Sequence, residues 1–190
     1  MIREILDKLS PILSRHKCTL REASKDDTRA LSMCESALEV IHFDKIPKEY
    51  CRTLNCSGIP KSNDALYISR EDDWYFIEFK NGTVEKADVY RKIYDSIIML
   101  IELKIIPDFQ FVREHIRYIL VYNPKKYSDM PGRDTIHSYM CERAESEREL
   151  FGIQKFKAFL LKETHTYTPG LFEENFILPM ERQEREAARK

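Results

Sequence analysis

The sequence is poor in the features that mark a fibre, a linker or a membrane span. Only five of its 190 residues are glycine and eight are proline, too few for collagen-like or linker-like chains. The longest apolar run, residues 97–103, is broken by Glu102 and falls far short of the roughly 20 residues a membrane helix needs. Neither sign of charge is in excess. With 31 basic and 32 acidic residues the net charge is −1, which excludes a strongly basic coat protein or a polybasic membrane binder but leaves room for a local basic cleft. The five histidines, His16, His42, His115, His137 and His165, are dispersed. Without HExxH or H-x-H spacing they do not suggest a zinc hydrolase. There is no glycine-rich dinucleotide fingerprint, no P-loop and no nucleophile-elbow serine.

Cysteine is used sparingly and in odd number: Cys18, Cys34, Cys51, Cys56 and Cys141. Cys51 and Cys56 lie five apart, but no second Cys/His pair follows at zinc-finger spacing. The cysteines read as free thiols. Residues 1–8 are charged and amphipathic rather than signal-like, and together these features predict a cytoplasmic, reducing setting.

What is present is core material. Apolar residues make up 43% of the chain, with ten Phe and ten Tyr, enough for one domain with a sizeable core. A single domain is expected over residues 1–180, followed by a charged tail, 181–190, that frays. Periodicity predicts a first helix over 1–17, kinked or divided at Pro11. A second helix is predicted over 24–42, capped in Ser24-Lys25-Asp26-Asp27 and striped by Leu31, Cys34, Leu38 and Ile41. Pro47, Gly58 and Pro60 punctuate an irregular connection. Residues 65–69 and 74–80 read as a hairpin joined by Arg70-Glu71-Asp72-Asp73. Thr83 is expected to cap a long helix, 84–104, closed by Pro107. That helix is apolar nearly all round from Ile97, implying deep packing or a subunit contact. A strand follows at 116–122, stopped by Asn123-Pro124, then a helix at 136–150 and a strand at 156–161 before the Thr168-Pro169-Gly170 turn.

Chemistry is concentrated in Pro60-Lys61-Ser62-Asn63-Asp64 and in Glu78-Phe79-Lys80. Alternation along a strand puts Glu78 and Lys80 on one face, which they share with Trp74 and Phe76. Hairpin pairing brings Asp64, at the start of one strand, to the end of the other. Two carboxylates and an ammonium then meet at one edge. Hard carboxylate oxygens suit Mg2+ or Mn2+, which lowers the pKa of a bound water and neutralises charge on a phosphate. A nearby lysine can assist that water or stabilise the transition state. A plain cross-strand ion pair would explain Glu78 and Lys80 as well.

Asp64 and Glu78-Phe79-Lys80, at the end of an aromatic strand and before a long helix, resemble the PD-(D/E)XK nuclease superfamily over about residues 27–122. The resemblance implies an α/β fold with a restriction-endonuclease-like α-β-β-β-α-β core, a mixed sheet flanked by helices. It implies Asp64 and Glu78 as metal ligands, with Lys80 as the catalytic lysine. A glutamate from the preceding helix is also implied, either Glu35 or Glu39, with Glu39 preferred because it is nearer the strands. Lys86, Arg91 or Lys92 would reach the site from the following helix to bind substrate. The family's Pro-Asp pair is stretched here by Lys61-Ser62-Asn63, which keeps Asp72 and Asp73 as weaker replacements for Asp64. A further strand is sought in residues 50–56. The expected activity is metal-dependent hydrolysis of nucleic acid, DNA ahead of RNA, with a protein partner or a homodimer as further expectations and no membrane association. The alternative is a catalytically silent binding protein of the immunity or antitoxin type. A plain structural α/β domain is a third reading. Lys125-Lys126 beside Tyr127 could touch phosphates but reads more readily as a solvated loop.

Overall fold

The computed structural model describes residues 11–26, 31–54, 56–125 and 150–189. In chain order its elements are α1 (Pro11–Ser14), β1 (Lys17–Thr19), α2 (Leu20–Ala23), β2 (Lys25–Asp26), β3 (Leu31–Ser32) and β4 (Glu39–His42). A 3-10 turn (Phe43–Lys45) leads into α3 (Ile46–Leu54), followed by β5 (Ala65–Ile68), β6 (Trp74–Lys80), α4 (Lys86–Glu102), α5 (Phe109–His115) and β7 (Ile116–Tyr122). After a second 3-10 segment (Ile153–Ala158) come β8 (Glu163–Tyr167), α6 (Pro169–Phe172), a π-helical turn (Glu173–Ile177) and α7 (Leu178–Ala188).

The chain is an α/β protein whose six-stranded mixed sheet runs β1-β4-β5-β6-β7-β8. The first four strands pair antiparallel, and β7 and β8 run parallel to β6. A parallel return needs a crossover, and α4 with α5 supplies it between β6 and β7. β2 and β3 form a separate antiparallel ribbon. No helix among the described residues is long and apolar enough to cross a membrane.

Period-two alternation divides the core into two layers. Trp74, Phe76, Ile116, Tyr118 and Leu120 face α3 and α4 and pack with Tyr50, Val89, Ile93, Ile97 and Leu100. Ile77, Ile119 and Val121 face the other way, onto Leu20 of α2, Phe172 and Phe176. Burying side chains of this size contributes roughly 1.5–3 kcal/mol each before conformational entropy is set against it. Edge-to-face contacts such as Phe43 on Phe76, with centroids 5.1 Å apart, fix the geometry within a layer.

The hairpin of β5 and β6 and the strand β7 fall where alternation predicts them, and other elements differ. The helix expected over 24–42 is replaced in the described part by β2, β3, β4 and an extended stretch between the last two. β4 is the third antiparallel strand, whereas the segment searched for it, residues 50–56, contributes to α3 instead. Residues 1–10 of the expected first helix lie outside the described residues; α1 covers Pro11–Ser14, and residues 17–19 are strand rather than a continuation of helix.

Thr83 does not cap α4. The N-cap is Glu85 and makes no side-chain cap bond. Pro107 does not close it either. The helix ends in a Schellman arrangement in which Lys104 takes φ +55° and donates its N–H to Ile101 O, while Ile105 N–H bonds Leu100 O. Within the apolar half of α4, Ile97, Met99 and Leu100 are buried and Ile98 is exposed. The strand expected at 156–161 is 3-10 helix, and the pairing strand is the more polar Glu163–Tyr167. Pro169 begins α6 rather than a turn.

The charged tail is ordered as α7 through Ala188, because its acids have partners. Ser36 donates to Glu181, and Arg70 donates to Glu184 through two nitrogens at 3.1 and 3.0 Å. Of the helix expected over 136–150 only Leu150 is described, outside any helix, and Cys141, His137 and the Lys126-Tyr127 pair lie outside the described residues. Among those described, Cys18, Cys34, Cys51 and Cys56 are unbridged.

Candidate functional site

The four residues before β5 are tied down one by one. Lys61 N–H donates to Asp95 Oδ2 at 2.9 Å, and Ser62 Oγ donates to Asp44 Oδ1 at 2.7 Å. Asn63, wholly buried, gives its backbone N–H and its Nδ2 to Ser96 Oγ, both at 3.1 Å. Asp64 then accepts the Phe79 N–H on Oδ2 at 2.6 Å. That bond locks it across the hairpin against the end of β6, where alternation turns Glu78 and Lys80 to the α4 face. Asp64, Glu78 and Lys80 therefore do converge.

Lys92, one turn before Ser96 on α4, completes the cluster. Its ammonium lies 2.7 Å from Glu78 Oε1 and 3.3 Å from Asp64 Oδ1. Lys80 Nζ lies 3.0 Å from the same Glu78 oxygen and 3.1 Å from Asp88 Oδ2, and Asp88 also holds Lys61 at 3.3 Å. Glu78 has no exposed side-chain surface, and its Oε2 is buried without a hydrogen-bond partner among the described residues.

The cost of this burial appears in the ionisation. Burial, and then the neighbouring Glu78 charge, drive the Asp64 carboxyl well above its ordinary range despite Lys92. Burial also raises Glu78, against the pull of Lys92 and Lys80. For the lysines burial acts downward but is outweighed. Asp64 and Glu78 carry Lys92 above its usual value, and Glu78 and Asp88 raise Lys80. Both ammoniums stay charged near neutrality. Tyr118, fully buried on β7 opposite Phe76, feels the same field. Burial first, then the charges of Glu78, Asp64 and Asp88, push its phenol well up, so it is neutral.

The cluster forms the floor of a polar cleft of about 540 Å3. Asp64, Glu78, Lys80 and Lys92 line its base. Ser24, Lys25 and Asp26, the 3-10 residues Asp44 and Lys45, and Phe79, Asn81 and Gly82 line its walls.

Other candidates lie elsewhere. Glu39, expected on a helix as a metal ligand, is an exposed residue at the start of β4, three positions before the cleft-lining His42, and pairs with Lys17 at 3.5 Å. At about 3.3 Å per residue, a strand puts those two positions some 10 Å apart. Glu35 pairs with Arg21. Lys86 is an exposed residue at the start of α4 and does not line the cleft, and Arg91 turns to Asp95. Asp72 and Asp73 occupy the opposite end of β6, where Asp72 accepts the Trp74 indole N–H and Asp73 pairs with Arg117 and Lys162.

Asp88 and Ser96 escape the sequence reading, which takes Asn63 only as part of the segment leading to Asp64. An acid in the first turn of a helix ordinarily reads as a dipole complement. The only signal for Ser96 was a small polar residue on the otherwise apolar Val89-Ile93-Ile97-Leu100 stripe.

Among the described residues no group of three or more His, Cys, Asp or Glu is arranged to hold a metal ion. The floor offers two carboxylates, which suits a cation that keeps waters and takes further oxygens from a phosphate rather than one held in an all-protein cage. Two observations fit such a cation: one ammonium already reaches both carboxylates, and one Glu78 oxygen is left without a partner. Comparison with protein-family models, curated proteins and solved structures finds no match in any of the three.

Proposed function

We propose that the chain is a Mg2+- or Mn2+-dependent phosphodiesterase acting on nucleic acid, built on a restriction-endonuclease-like core. The observation that carries this reading is the convergence of Asp64, Glu78 and Lys80 on the floor of a cleft, with Glu78 wholly buried, Asp64 partly so and both carboxyls raised in pKa. Energetically unfavourable charge of this kind is concentrated at functional sites. The order β4-β5-β6-α4-β7, three antiparallel strands, a long helix and a parallel return, supports the β-β-β-α-β part of that core.

In this reading Asp64 and Glu78 hold the ion. When bound, the ion supplies charge neutralisation at the phosphate and a more acidic water. Lys80, kept protonated between Glu78 and Asp88, stabilises the negative charge that develops on the phosphoryl oxygens and does not act as a base. Lys92 balances the carboxylates in the free protein and keeps them from moving apart.

Cleavage of single- and double-stranded DNA and RNA with Mg2+ or Mn2+ tests the reading. Lys80→Ala should lower turnover by about a hundred-fold or more, and chelator should abolish it. Full activity in that variant would remove the role assigned to Lys80.

One observation favours a second reading. Lys80 and Lys92 already neutralise both carboxylates, as they would in a nuclease-like scaffold retained to bind a protein partner. Absence of cleavage on all four substrates, together with no ion binding by calorimetry, would favour that reading.

A further inference from the structure

The described cysteines are not equivalent. Cys34 is buried and Cys18 half-buried, and burial holds both thiols above their usual range, Cys18 at about 11. Thiols so held are poor nucleophiles. Cys51, half-buried near the end of α3, and Cys56, exposed just past it, are placed differently. Cys56 N–H donates to Cys51 O at 3.3 Å, which draws the two backbones together. Their thiols are hydrogen-bonded to each other, and Cys51 Sγ also donates to Gly58 O at 3.5 Å. A disulfide needs Cα atoms within about 7 Å and Cβ vectors that converge. The backbone hydrogen bond supplies the first and the thiol contact the second.

The surroundings of the pair carry one sign of charge. Lys48, Cys51 and Arg52 stand at i, i+3 and i+4 on one face of α3. With Cys56 and Ile59 they line a surface cleft that has no acid in its lining. Lys48 and Arg52 are exposed and make no ion pair among the described residues. Glu49, the acid between them in sequence, is held by Arg15 and His16, both at 2.7 Å.

We infer that Cys51 and Cys56 form a thiol–disulfide exchange site for an anionic low-molecular-weight disulfide. The Cys56 thiolate attacks one sulfur of the incoming disulfide, whose S–S bond breaks and whose other sulfur leaves as a thiolate. Cys51 then gives up its proton and attacks Cys56 Sγ, releasing the second thiolate as the Cys51–Cys56 bond forms. Two protein thiols are oxidised, the incoming disulfide is reduced by two electrons, and the two thiol protons end on its two halves. Exposure makes Cys56 the point of entry. Burial, then Cys56 itself, raises the Cys51 thiol, and proximity to the mixed disulfide offsets its small thiolate fraction. Lys48 and Arg52 meet the carboxylates of the incoming molecule. None of these residues lines the acid-floored cleft, so the site stands whether or not the chain hydrolyses nucleic acid.

The experiment is incubation of the reduced chain with glutathione disulfide, and in parallel with uncharged hydroxyethyl disulfide, followed by intact mass and peptide mapping. The wild type should lose two hydrogens and yield a Cys51–Cys56 bridge. Cys51→Ser should stop at the glutathione adduct of Cys56, and Cys56→Ser should form no bridge to Cys51. Lys48→Gln combined with Arg52→Gln should slow bridging by glutathione disulfide about ten-fold at low salt and leave the reaction with hydroxyethyl disulfide unchanged. The changes are near-isosteric or exposed, so circular dichroism should match the wild type.

A bridge mapped to another pair of cysteines would overturn the inference. So would the absence of an adduct on Cys56 in Cys51→Ser, or an adduct that persists there in the wild type. Equal slowing with both disulfides would overturn the preference for an anionic one. Asp64, Glu78 and Lys80 are untouched in every variant, so cleavage with Mn2+ is scored independently.

Discussion

The two ends of β6 and β7 carry similar charged residues in opposite energetic states. At one end Asp73, Arg117, Lys162 and Glu163 form a network. Arg117 sits between Asp73 and Glu163, and Lys162 lies 2.8 Å from Asp73. Burial acts to raise both acids, but Lys162 and Arg117 overcome it for Asp73, and Arg117 overcomes it for Glu163, so both end below their ordinary values. At the other end Asp64 and Glu78 have two lysines for partners and still end above theirs. The difference is solvent and number. Glu163 keeps 40% of its side-chain surface exposed and Glu78 keeps none. At the cleft Asp64 meets one ammonium, Lys92, and shares it with Glu78, whereas Asp73 meets both Lys162 and the Arg117 that it shares with Glu163. An ion network that has settled is read as structure, and one held in tension beside a cleft is read as function.

Three measurements bear on that contrast. The largest effect should come from Asp73→Ala, which removes the carboxylate shared by Arg117 and Lys162 while Arg117 keeps Glu163, and should destabilise the fold by about 3 kcal/mol through two lost charged hydrogen bonds, read as a lower urea midpoint at unchanged slope. A loss under about 0.5 kcal/mol would mean that the settled end is not settled by these pairs.

Next is the response to a divalent ion. Mn2+ at about a hundred times its dissociation constant should add about 2.7 kcal/mol to the native state and raise the melting temperature by several degrees, with no rise in Asp64→Asn. An equal rise in that variant would move the ion away from the cleft.

The smallest effect has the opposite sign to the first. Asp64→Asn should stabilise the protein by about 1 kcal/mol at pH 7. A carboxyl whose folded pKa is raised favours folding when protonated and loses that contribution as pH climbs from its unfolded value, near 3.8, through the folded one. The advantage of the asparagine should therefore vanish in acid and grow above about pH 4. Equal stability of the two proteins at all pH values would show that Asp64 is not under tension.

Legibility in the sequence followed locality. Trp74–Lys80 and Ile116–Tyr122 are near-continuous runs of aromatic and branched apolar residues that end at Asn-Gly and Asn-Pro, so their bounds could be read directly, and Asp64, Glu78 and Lys80 came with them. Residues 24–42 misled because Leu31, Cys34, Leu38 and Ile41 keep helical spacing by coincidence. In the fold Cys34 and Leu38 pack on one face of the sheet and Ile41 on the other. Strands of two to four residues carry little local signal and are made by partners far along the chain. Glu39 was misplaced with that helix. β8 was missed for a related reason: ETHTY is too polar to read as buried, yet Thr164 and Thr166 lie under the second 3-10 segment. Asp88 could not be weighed from sequence, since its role depends on Lys61 and Lys80 meeting it in space.

The floor of the cleft comes from one uninterrupted stretch, the hairpin and helix between Lys61 and Ser96, while Lys25, Lys45 and the ribbon come from the chain before it. The floor of the cleft and much of its wall are thus separate paragraphs of the same text. Drift confined to Lys25, Lys45 and the ribbon alters the walls of the cleft without rewriting a residue of its floor.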